Sequence, residues 1–255
     1  MIAALQMYDW PEVREATDLW WKGIAGHMGL DLPLSRPDEF TAPWLRDDLL
    51  FGQTCGYPFT HALKGQVRLV GTPRYAADGC DGPAYCSIVL ARQGQPLAAF
   101  RGSVAAVNTP DSMSGMLALK LVFAPLADGG RFFARAVQTG GHLASLAAVQ
   151  AGKADVCAID CVCVEMARRY RPAALEGLVE IARSPAVPGL PWITRAGDVQ
   201  ALRVALRKAF ADPNLAQVRD ALLLAGFSEL PVSAYDRITD LESAVERAGG
   251  LQLLS

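Results

Sequence analysis

Between residues 104 and 160, three short apolar runs alternate with two Ala- and Leu-rich stretches of helical length. Val104-Ala105-Ala106-Val107, residues 132–137 and residues 156–159 read as strands. Residues 116–126 and 143–151 read as helices, the second stopped by Gly152. A strand that returns to its own sheet through a helix must run parallel to its predecessor, and such a sheet needs helices on its faces. This βαβαβ pattern excludes an all-helical bundle and an antiparallel sandwich. The remainder of the 255 residues is long enough to build a second lobe around it.

Outside that stretch, residues 2–8 read as a buried strand. Asp9-Trp10-Pro11-Glu12 then opens a helix running through Trp20 and Trp21 to about Met28. Trp20 and Trp21 at helical positions are expected to pack in a core. Residues 45–50 suggest a short helix, and residues 51–59 a strand leading into a loop. Strands are expected at 67–70, 85–91 and 178–182, and helices at 199–210, 215–225 and 239–248. Extended crossings near Phe100-Arg101-Gly102 and in the Pro-rich segment 184–191 bracket the middle third. The expected organisation is therefore one discontinuous lobe of residues 1–98 and 190–255, with residues 99–189 forming the other. Each lobe is expected to be an α/β unit with a mostly parallel sheet flanked by helices.

Composition narrows the function classes. With 51% hydrophobic and 20% charged residues the chain is built to fold throughout. Lys+Arg 24 against Asp+Glu 26 gives a formal charge of −2, without the basic surface that sequence-independent nucleic-acid binding requires. No apolar stretch approaches the ~20 residues of a spanning helix. Met1 leads into Ile2-Ala3-Ala4-Leu5 without a basic flank, so the sequence as written suggests the cytoplasm, or the periplasm after removal of an export signal. Cys157, Cys161 and Cys163 lie in one apolar run and read as reduced core thiols, while Cys80 and Cys86 flank a Gly-rich turn and form the lesser candidate for a local disulfide. No metal spacing or nucleophile motif is present, so no catalytic residue, metal or cofactor is expected.

Ligands of open parallel sheets bind beyond the carboxyl ends of the strands. The residues following each expected strand are Tyr8 and Asp9, the stretch 53–57, the stretch 108–115, Thr139-Gly140-Gly141-His142, and Asp160. In 108–115, a strand leads in and a helix leads out. The amides of Met113, Ser114 and Gly115 with the hydroxyls of Ser112 and Ser114 would form an anion cradle at a helix N-terminus, with Gly115 admitting a ligand close to the backbone. Equally, Asp111 or Ser112 would serve as an ordinary helix cap. His142 begins a second helix at the same sheet edge, and a protonated ring there would attract an anion. Asp160 is an acid at a strand end, or a cap for the next helix. His27 and His61 read as isolated.

Four stretches together resemble the phosphate/phosphonate-binding family of ABC-transporter substrate-binding proteins, within the type 2 periplasmic binding protein fold. They are Gln53-Thr54-Cys55-Gly56-Tyr57, residues 108–115, residues 139–149 and residues 152–160. The resemblance implies a monomeric, two-lobed binder that takes a small anionic ligand (phosphonate, phosphate, sulfonate or carboxylate) between its lobes and delivers it to a permease. It implies that Ser112, Ser114, Gly115 and His142 hold the anionic head, that Tyr8 and Tyr57 contribute from the other lobe, and that Asp160 meets a cationic tail. The family commonly carries Ser-Thr-Ser at the first turn, where this chain has Met113 in the middle. A cytoplasmic enzyme on the same fold, like the chorismate dehydratase-like lyases, is the alternative that a missing export signal suggests.

Overall fold

The computed structural model describes residues 1–253. The chain forms two compact units, one made of Met1–Ala76 and Pro188–Ala234, the other of Ala77–Val187 with the segment from Tyr235 onward.

In the first unit a five-stranded sheet has the order Ile2–Ala4, Leu49–Gln53, Trp192–Thr194, Arg68–Tyr75, Leu224–Ser228. Helix Arg14–His27 turns Trp20, Trp21, Ile24 and Ala25 inward, and helix Val199–Ala211 turns Leu202, Ala205, Leu206 and Ala209 inward. Both sets follow the helical repeat, so each helix buries one stripe. Trp21 stacks on Phe51 at 5.5 Å between ring centroids, and Phe51 meets Trp192 at 5.8 Å. Trp20 and Trp21 are each 1% exposed, the core position expected for them.

In the second unit the sheet order is Val179–Arg183, Ser87–Ala91, Val156–Asp160, Val104–Val107, Arg135–Gln138. Val104–Val107 pairs parallel with both neighbours, which is the βαβαβ pattern read from the sequence. The first crossover passes through a π-helical turn, Met113–Leu117, into helix Ala118–Phe123, and the second through helix His142–Gln150. Phe123, Phe132 and Phe133 form a ring cluster in this unit's core, with centroids 4.9 to 5.0 Å apart.

Five expectations change. The first unit has one parallel pair against three antiparallel ones, so its sheet is not mostly parallel. The unit boundaries also move. Ser87–Ala91 hydrogen-bonds antiparallel to Val156–Asp160, which draws residues 77–98 into the second unit. Val245, Leu251 and Leu253 bury in that unit's core and bring the C-terminal segment with them. The expected helix at 45–50 is replaced by strand Leu49–Gln53, buried at every position, because this strand lies inside a sheet covered on both faces. The apolar run at 215–225 is a short helix, Ala216–Ala221, followed by strand Leu224–Ser228, the chain reversing at Leu223 with φ 58°. Residues 132–133 are not strand, since their rings pack on Phe123 and the strand starts at Arg135.

Phe123→Ala removes the ring that joins this cluster. It is expected to destabilise the second unit by about 3 to 5 kcal/mol, read as a fall in the urea midpoint of that unit's transition.

Candidate functional site

The parallel register of the second unit's sheet brings Asn108, Thr139 and Asp160 to one edge. Each lies at or just beyond the carboxyl end of its strand. Two hydrogen bonds tie the first two turns together, from the Thr139 amide to the Val107 carbonyl at 2.8 Å and from the Gly140 amide to the Asn108 carbonyl at 2.9 Å. Gly140, at φ 88°, makes a reversal that an L side chain would strain.

Ser112 caps the first helix. Its Oγ accepts the Gly115 amide at 3.0 Å and the Asn108 Nδ2 at 2.9 Å. The first bond of this π turn runs from the Leu117 amide to the Ser112 carbonyl. A hydroxyl has two acceptor positions and one proton. With both acceptor positions filled from the protein side, the Ser112 proton is left to donate. Ser112 is therefore both cap and donor, and the capping reading and the anion reading of this turn hold together. Asp111 is exposed and is not the cap.

Ser114 is set in the same way. Its Oγ lies 2.9 Å from His142 Nε2, while His142 Nδ1 is buried without a hydrogen-bond partner. A buried bare acceptor costs less than a buried orphan N–H. The favoured tautomer thus carries its proton on Nε2 and donates it to Ser114. Ser114 then has its own proton for a ligand. Burial lowers the His142 pKa from 6.5 to about 4, so the ring is neutral at physiological pH. With a neutral ring, the donor that Nε2 offers carries no charge and is directed to Ser114.

Gly115 has a different role from the one expected. A Cβ on Gly115 would stand 1.8 Å from Asn108 Oδ1, so its missing side chain makes room for Asn108 rather than for a ligand. Its amide is taken by Ser112. Asn108 is the residue sequence reasoning left out of the site, although it heads the stretch singled out there. Its Oδ1 is buried without a partner, and its Nδ2 fixes the Ser112 hydroxyl. Met113 is 1% exposed and packs in the interior.

The second helix, His142–Gln150, begins without any side-chain cap at Gly141, and its first intrahelical bond is from the Ser145 amide to the Gly141 carbonyl. Its leading amides form a partial positive end beside the two serines' turn. Thr139 Oγ1 meets Ser145 Oγ at 2.6 Å and holds the turn closed. Asp160, 1% exposed, caps the next helix by accepting the Val162 amide at 2.8 Å, the structural role weighed for it from sequence.

Tyr8 and Tyr57 lie in the first unit. Tyr8 sits edge-on to Tyr75 at 5.2 Å and, with Gln53 and Trp192, lines a hollow of about 30 Å³, room for one water molecule. Gln53 Nε2 donates to the Tyr75 hydroxyl at 3.0 Å and to the Leu190 carbonyl at 3.3 Å. Tyr57 stacks on His61 with centroids 3.9 Å apart, so His61 is not isolated. No helix among the described residues is long and apolar enough to cross a membrane, and none of the described residues form a metal-binding group.

Solved structures with this fold cover nearly the whole chain. A binding-protein component of an ABC phosphonate transporter from Pseudomonas aeruginosa, PA3383, superposes with a TM-score of 0.76 at 18% identity, over 97% of this chain and 87% of that one. PhnD1 from Prochlorococcus marinus, solved with methylphosphonate, gives 0.77 at 13% identity over 96% and 98%. XAC2383 from Xanthomonas citri, solved with ATP, gives 0.68 at 17% identity over 97% of each chain. No curated protein matches the sequence. The profile of the family described as ABC transporter, phosphonate, periplasmic substrate-binding protein matches residues 46–235, and the chain belongs to that family.

Two outcomes follow from this geometry. Gly115→Ala alone is expected to destabilise by about 1 to 3 kcal/mol, and by much less in an Asn108→Ala background, where the clashing amide is gone. Equal costs in both backgrounds, by urea unfolding, would show that Asn108 does not set the need for glycine. Because the folded His142 pKa lies below the unfolded one, its contribution is present above pH 6.5 and is lost as pH falls toward 4. Wild type should therefore lose up to about 3 kcal/mol over that interval relative to His142→Gln, in which this group does not titrate.

Proposed function

We propose that the protein binds the oxyanion head of a small phosphonate or phosphate-like ligand at Ser112, Ser114 and the leading amides of the His142–Gln150 helix, and passes it to an ABC permease. The observation that carries this reading is the Ser112 hydroxyl, whose acceptor positions are taken by Asn108 Nδ2 and the Gly115 amide so that its proton is left to give; the Ser114 hydroxyl is set alike when His142 carries its proton on Nε2. Such a pair suits an acceptor-rich, negatively charged group and is wasted on a cation. The helix ends add partial positive charge with no cationic side chain needed, which suits a ligand that must also be released.

Gly115 and Asn108 position Ser112, and His142 positions Ser114. Asp160 meets a cationic tail where the ligand has one. With Met113 buried, this turn offers two hydroxyls rather than three, so oxyanions that need fewer donors, sulfonates and carboxylates included, remain within its range. Family membership supports action in the periplasm, as the binding component that works with the permease.

Calorimetric titration with methylphosphonate and with inorganic phosphate tests this. Ser112→Ala and Ser114→Ala should each weaken binding by about 1 to 3 kcal/mol, the loss of one charge-assisted hydrogen bond. Ser112→Thr, which keeps the hydroxyl, should restore most of it. If both alanine variants melt lower yet bind as tightly as wild type, the serines are caps alone and the anion site lies elsewhere.

A further inference from the structure

Three cysteines from two stretches of sequence, Cys80 and Cys86 from one and Cys161 from the other, meet on the second unit. Cys80 and Ala84–Tyr85 belong to a small hairpin in which Cys80 pairs with Tyr85. Cys161 opens the helix that Asp160 caps. The Cys80 and Cys161 sulfurs are 3.5 Å apart, and the Cys161 amide donates to the Cys86 carbonyl at 3.1 Å. Gly79 sits against both Cys86 and Cys161; a Cβ there would come within 2.9 Å of the Cys86 sulfur and of the Cys161 Cβ. All six cysteines are free thiols.

We propose that Cys80 and Cys161 are a peroxide-oxidisable pair that closes to a disulfide. Cys80 is the partly exposed member, whereas Cys161 and Cys86 are buried. The Cys161 thiol is pushed up by its hydrogen bond to Cys80 and by burial, and the Cys86 thiol by its hydrogen bond to Cys161 and by burial. Thiolates are the nucleophiles, so those two stay protonated and Cys80 reacts first. The Cys80 sulfur attacks hydrogen peroxide, the O–O bond breaks, and Cys80 becomes a sulfenic acid while one water is released. The Cys161 sulfur then attacks the Cys80 sulfur, the S–O bond breaks, the S–S bond forms, and the departing hydroxyl leaves with the Cys161 proton as a second water. Two electrons pass from the sulfur pair to the peroxide. A contact of 3.5 Å supplies the proximity that Cys161 needs in place of intrinsic reactivity.

The alternative partner for Cys80 is Cys86. Cys86 lies just beyond the strand Ala84–Tyr85 and its thiol is hydrogen-bonded to Cys161, whereas the direct 3.5 Å sulfur contact of Cys80 is with Cys161. Geometry therefore selects the link to Cys161. That link would fasten the hairpin to the start of the helix behind Asp160.

Full-length protein treated with hydrogen peroxide should lose two free thiols by titration under denaturing conditions. Non-reducing proteolysis and mass spectrometry should recover one peptide joining Cys80 to Cys161. The melting temperature should rise on oxidation and return with dithiothreitol. Cys80→Ser should abolish all three effects and Cys86→Ser should leave them intact, with each variant first shown to be folded by circular dichroism. Sulfoxide at Met1, which is 62% exposed, marks a sufficient dose. An unchanged thiol count at that dose, a Cys80–Cys86 link, or sulfinic acid at Cys80 without a link would each overturn the proposal.

Discussion

The parallel pairing of Val104–Val107 with strands on both sides is the constraint from which the candidate site follows. Parallel strands share a direction, so their carboxyl ends share an edge, and the crossover helices that close each unit must start there. Two helix N-termini are thereby brought together by topology alone. The strands are only four or five residues long, and their interior positions are Ala, Val, Cys and Ile, small enough for helices to pack closely above them. At the two serines' turn and at the start of the His142–Gln150 helix, no charged side chain caps the helix. The partial positive charge comes from backbone that any sequence with this topology would supply.

What the particular sequence adds is the orientation of hydroxyl protons. A serine at a helix start can give or take a hydrogen bond, and left alone it would spend its proton on the nearest carbonyl. Here Asn108 and the Gly115 amide occupy the acceptor side of Ser112, and the neutral ring of His142 occupies that of Ser114. The arrangement is costly, because it leaves Asn108 Oδ1 and His142 Nδ1 buried without partners. Each such atom costs on the order of 1 to 3 kcal/mol. Both orphaned atoms sit on the residues that hold the two serines.

The βαβαβ core was readable because its apolar period switches between strand and helix with Gly and Pro at the junctions, and the turn at 108–115 was readable as a helix start. Other features rest on contacts that periodicity does not carry. Ser87–Ala91 looks the same whether it belongs to one unit or the other, and only its antiparallel pairing with Val156–Asp160 decides. Residues 222–225 satisfy a helical and a strand pattern alike, and the edge offered by Arg68–Tyr75 settles the choice. The purpose of Gly115 depends on an amide seven positions earlier, and the charge of His142 on its burial. Each of these is a tertiary fact written in residues whose local signals are neutral.

Met113 shows how the same turn separates packing from recognition. Its neighbours Ser112 and Ser114, each 4% exposed, lie on either side of Met113, which is 1% exposed. The π turn places its first intrahelical bond one residue wider than an α-helix would, from Leu117 back to Ser112, which widens the helix mouth around the two hydroxyls. A thioether at this position supplies no third hydroxyl. On the proposed reading the turn keeps two hydroxyl donors, both fixed by protein hydrogen bonds. For a binding protein this lowers the ordering cost of ligand capture, since donors that are fixed before the ligand arrives need not be immobilised by it.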